Sequence, residues 1–96
     1  MQRDLHPVDG ARYLLELDSV TGPTARYRVA IYTSDAAYTA TATLDEAGAV
    51  ELAPTGAPDD LHGRLATIAK LIARDAGKLR SEGMPPWPQR ILRWRR

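Results

Sequence analysis

The sequence predicts an α+β domain: a four-stranded antiparallel meander followed by one long helix packed on one sheet face, with a short C-terminal Pro/Trp/Arg segment. Three observations carry this expectation. Apolar residues alternate with period two across residues 11–53, they recur at helical spacing across 58–82, and turn residues punctuate each change. With 96 residues, 44% hydrophobic and 26% charged, the chain has material for one core and not for two. Residues 1–96 therefore read as a single domain.

Residues 1–10, with Pro7 and Gly10, lack apolar periodicity and read as an irregular lead-in. Tyr13, Leu15 and Leu17 then share one face of a first strand, with Arg12, Leu14 and Glu16 on the other. The turn-rich run Asp18–Thr24 separates it from a second strand, in which Tyr27, Val29 and Ile31 oppose Arg26, Arg28, Ala30 and Tyr32. After Ser34-Asp35, a third strand sets Tyr38, Ala40, Ala42 and Leu44 against Thr39, Thr41 and Thr43. Asp45-Glu46-Ala47-Gly48 turns the chain into a fourth, where Val50 and Leu52 alternate with Glu51. Short turns between such runs favour an antiparallel meander.

From Pro58 the period changes. Leu61, Leu65, Ile68, Ile72, Ala76 and Leu79 step by three or four, which places them along one helical face. Asp59 and Asp60 suit the positive end of the helix dipole, and Asp59 is the expected cap. Lys78 and Arg80 suit the other end, and Gly83 before Pro85-Pro86 stops the helix. Gly63 weakens the first turns. The helix stripe matches the sheet face that carries Tyr13, Leu15, Val29, Ile31 and Leu44. The reverse face, with Arg12, Glu16, Arg26, Arg28, three threonines and Glu51, reads as solvated, with Leu14 and Tyr32 as its apolar exceptions.

Composition removes several function classes. Without cysteine there is no disulfide framework, thiolate metal site or thiol catalysis, and a cytoplasmic setting is expected. No apolar run is long enough for a signal peptide or a membrane span. Eleven of the 13 basic residues are arginine and alanine is abundant, a usage typical of GC-rich bacterial genomes. Glycine loops that cradle phosphates are missing.

The candidates for chemistry are sparse. Ser19, Ser34 and Ser81 fall at turns or a helix end, and His6 and His62 are the only imidazoles. Asp59 and His62 share a helical face, but two ligands are too few for a metal site. Neither catalysis nor a cofactor is expected.

The segment 84–96 stands apart. Residues 1–83 carry nine basic and twelve acidic side chains, whereas 84–96 carry four arginines and no acid. Prolines around Trp87 favour an extended lead. If the remainder is helical, Trp87, Ile91 and Trp94 lie on one side and Arg90, Arg93, Arg95 and Arg96 fall away from it. Several readings stay open. The apolar side can dock on the body, or bind a protein partner or a second copy of the chain, tryptophan and arginine being typical interface anchors. Arginine and tryptophan also suit phosphates and unpaired bases, and such an end can rest on a membrane surface. The expectation is a small non-enzymatic protein-interaction or self-association domain; the alternative is a nucleic-acid-binding accessory protein using the same segment.

Overall fold

A computed structural model describes residues 6–95. The elements run β1 (Ala11–Thr21), β2 (Thr24–Tyr32), β3 (Ala37–Asp45), β4 (Val50–Leu52), α1 (Asp59–Ser81) and β5 (Arg90–Arg95). The four strands form the expected antiparallel meander, and α1 packs on one face of the sheet. A fifth strand joins the other edge, giving the order β4-β3-β2-β1-β5 with β5 antiparallel to β1.

Two local features differ from the sequence expectation. Asp18–Thr24 is mostly strand: the turn between β1 and β2 is only Gly22-Pro23, and a bulge between Leu17 and Ser19 absorbs the irregularity. Gly22 takes φ +58°, which suits the first position of a tight hairpin turn, and proline suits the second. Asp59 is also not the cap. Pro58 holds that position without a side-chain hydrogen bond, and Asp59 is the first helical residue.

The core forms where the two periodicities meet. Tyr13, Leu15, Tyr27, Ile31 and Leu44 are wholly buried against Leu65, Ala69, Ala73 and Ala76. Three alanines on the inner helix face let α1 come close to the sheet, where two tyrosines supply the bulk. At the far end, Gly77 approaches the β3–β4 turn so closely that a Cβ would stand 2.8 Å from the Glu46 carbonyl oxygen. Arg80 Nε donates to Glu46 Oε2 at 2.7 Å across the same junction. The helix closes as the glycine predicts: Gly83 (φ +76°) donates to Arg80 O and Met84 to Leu79 O.

The chain must then cross from α1 to the opposite edge of the sheet. Trp87, only 6% exposed, plugs the core with its ring edge-on to Tyr27 at 6.4 Å. The Tyr27 hydroxyl donates to Pro88 O at 2.7 Å, and Leu17 N donates to Gln89 O at 2.9 Å. These contacts aim residue 90 at the edge of β1.

The helix glycines predict opposite effects. Gly63→Ala adds a methyl in open space and stabilises by about 0.5–1 kcal/mol. Gly77→Ala meets a backbone carbonyl and destabilises by about 1–2 kcal/mol despite its better helix propensity. Urea denaturation of the two variants checks the signs. A second expectation concerns Tyr27, whose pKa burial pushes up to about 12. The unfolded phenol ionises near its ordinary value of 10.0 while the folded one stays neutral, so stability held below pH 10 is lost as pH rises towards about 12. Urea midpoints between pH 8 and 12 should fall more steeply in the wild type than in Tyr27→Phe, which starts lower because Pro88 O loses its donor.

Candidate functional site

The segment singled out by its charge does not form a helix. Residues 90–95 are β5, and strand alternation divides their side chains between the two faces of the sheet. Ile91, opposite Leu15, is 5% exposed in the core. Trp94, opposite Arg12, lies on the other face and is 42% exposed. Trp87, Ile91 and Trp94 therefore share no common side. Trp87 and Ile91 are buried, whereas Arg90, Leu92 and Trp94 lie on the face that α1 does not cover. Arg93 and Arg95 point to the helix side of the sheet. Arg96 lies outside the described residues, as do the first five residues of the lead-in.

The strand register assembles the open face row by row. Trp94, Arg12 and Tyr32 form one cross-strand row, Leu92, Leu14 and Ala30 the next, and Arg90, Glu16 and Arg28 the third. Leu14 and Ala30 are only 6% exposed although α1 lies on the opposite face. Together with Tyr32, Thr39, Thr41 and Pro54 they border a trough of about 530 Å³. Arg90 Nε stands 3.8 Å from Glu16 Oε2 and Arg28 Nη1 stands 4.0 Å from Asp18 Oδ1; both are exposed pairs worth little energetically.

Residues 6–10 form no helix or strand, and two contacts fasten them beside this face. His6 Nδ1 lies 2.7 Å from Thr33 O, so that nitrogen carries the proton, and its ring meets Tyr32 edge-on at 5.4 Å. Trp94 Nε1 donates to Asp9 O at 3.0 Å. These contacts orient Tyr32, which lines the trough, and Trp94, two strands away in the same row.

Other nominated residues have local roles. His62 Nδ1 lies 3.1 Å from Thr55 Oγ1, which also accepts from Ala57 N at 3.2 Å, so the pair ties the start of α1 to the loop before it. Among the described residues no cluster of three His, Asp or Glu side chains suits a metal ion. None of their helices is long and apolar enough to cross a membrane.

The outer edge of β5 has its own chemistry. The Leu17–Gln89 hydrogen bond marks that pair as a bonded one. By the alternation of an antiparallel ladder, Ile91, Arg93 and Arg95 direct their backbone groups to β1, and Arg90, Leu92 and Trp94 direct theirs outward. Two outward carbonyls are covered by their own strand: Arg93 Nη1 donates to Leu92 O at 3.2 Å, and Arg95 Nη1 to Trp94 O at 2.8 Å. The opposite edge, β4, is only three residues long. Both edges are therefore protected against casual pairing, one by arginine and one by brevity.

No protein-family model matches the chain, and no match is found among the curated proteins or among the solved structures.

The two tryptophans should be separable in solution. An aqueous quencher should leave a blue-shifted Trp87 component and remove the Trp94 component, and Trp94→Phe should leave only the protected signal. Trp87→Ala should destabilise by about 3–5 kcal/mol, against about 1 kcal/mol for Trp94→Ala, as read from denaturation midpoints.

Proposed function

We propose that this chain is a protein-interaction module that binds a partner protein through the open face of its sheet. The observation that supports this most is the register, which collects Trp94, Arg12 and Tyr32, then Leu92, Leu14 and Ala30, on the one face that α1 leaves uncovered. Aromatic and arginine side chains around an apolar floor are the residue types that dominate interface energetics. The trough of about 530 Å³ has room for one or two inserted side chains. The open side of the sheet, with Arg12, Arg26, Arg28 and Arg90 against Glu16, Asp18 and Glu51, favours a partner of acidic character. A chain with no cysteine suits work in a reducing bacterial cytoplasm.

The row Trp94–Arg12–Tyr32 also favours a second reading. Two aromatics either side of an arginine form a platform on which unpaired bases can stack. Single-stranded nucleic acid is the alternative partner.

The test compares the wild type with Tyr32→Ala/Leu92→Ser, both confirmed as folded by circular dichroism. Proteins retained by the wild type should be lost by this double variant and kept by the helix-surface control Lys70→Ala/Arg74→Ala. Sedimentation velocity shows whether the retained partner is a second copy. Equal retention by all three chains overturns the reading. For nucleic acid, the anisotropy of a labelled oligothymidylate should show affinity falling steeply with salt, and a flat salt response removes the alternative.

A further inference from the structure

The β5 edge turns the backbone polar groups of Arg90 and Leu92 outward. Such an edge is a template for an added strand. A second copy of β5 is a poor occupant. Each strand carries three arginines and no acid, so pairing would bring six like charges together. An acidic strand is a good occupant. Its carboxylates can take over Arg93 and Arg95, whose guanidinium groups now cover the Leu92 and Trp94 carbonyls, and so release the edge that those arginines close.

The alternation of β5 narrows the sequence of this occupant. Arg93 and Arg95 share the helix side, while Leu92 and Trp94 share the open side. A strand laid along the edge also alternates. Carboxylates at every second position all fall beside Arg93 and Arg95, and the residues between them fall beside Leu92 and Trp94. Apolar residues in those places extend the floor formed by Leu92 and Leu14.

We propose that β5 is a strand-addition site for an extended segment in which acidic and apolar residues alternate, with Arg93 and Arg95 as the charge-sensitive cover of the edge. This rests on the protein-interaction reading and names the kind of segment that the partner contributes.

The probe is a blocked eight-residue peptide alternating glutamate and valine. Its controls are a lysine–valine peptide and a Glu-Glu-Val-Val repeat of the same composition but the wrong period. The glutamate–valine peptide should bind the full chain at least about tenfold more tightly than either control, and salt should weaken it. Amide exchange at Arg90 and Leu92 should slow on saturation. Arg93→Gln/Arg95→Gln should lower its affinity about tenfold with an otherwise unchanged amide spectrum. The proposal is overturned by the absence of binding, by equal binding of the three peptides, or by binding that leaves those two amides unprotected. Tyr32→Ala separates this from the broader reading, because Tyr32 lies on β2, away from the edge. Loss of retained proteins in Tyr32→Ala alongside a silent peptide removes the edge proposal alone. A bound peptide alongside unaffected retention supports the edge and removes the face.

Discussion

The hydrogen bond from Tyr27 to the Pro88 carbonyl, with the Trp87 ring edge-on against the same tyrosine, is the constraint on which the far side of the molecule depends. The helix ends beside the β3–β4 turn, and the last strand pairs with β1 at the opposite edge. The intervening residues carry three prolines, which reduce the freedom lost when they are ordered. One buried tyrosine serves the segment twice. Its ring is a wall for Trp87, and its hydroxyl fixes the residue just before the strand. The buried Trp87 indole N–H finds no hydrogen-bond partner among the described residues, so here the packing of a large aromatic outweighs full polar satisfaction.

The division between a packed face and a usable one follows from this arrangement. Alanines at 69, 73 and 76 bring the helix down onto Tyr13 and Tyr27, and Gly77 lets its end pass within contact of the Glu46 carbonyl. One helix covers one face, so the other must either be polar or meet something else. Its row of Arg90, Glu16 and Arg28 satisfies the first condition. Its inner row does not: Leu92, Leu14 and Ala30 form an apolar line across three strands, bounded at one end by two aromatics.

β5 combines edge protection with recognition chemistry. Arginine is costly to pair with itself and well suited to carboxylates, so the groups that discourage self-assembly also define which strand would be accepted. The lead-in adds to this side of the molecule by holding the Trp94 indole through Asp9 and the Tyr32 ring through His6.

Most of the fold was legible in the sequence because it rests on local periodicity. Alternation over residues 11–53 and 3.6-residue spacing over 58–82 encode which face of each element is apolar, and an apolar face has to be buried. The candidate site was legible only as composition: arginine and tryptophan concentrated after residue 84. In Arg90–Arg95, where two of six residues are aliphatic, neither period is decisive, and the helical assumption put Trp94 beside Ile91. Strand geometry separates them, sending Ile91 into the core and Trp94 to the open face. The rows of the open face were equally hidden, since Leu92, Leu14 and Ala30 are far apart in the chain and meet only through pairing registers. The sequence by itself determined the elements, their buried faces and the unusual charge of the final segment, all of them properties of near neighbours. The tertiary structure alone decided which edge that segment joins, which of its residues remain exposed and which backbone groups it offers, because long-range pairing with β1 sets all three.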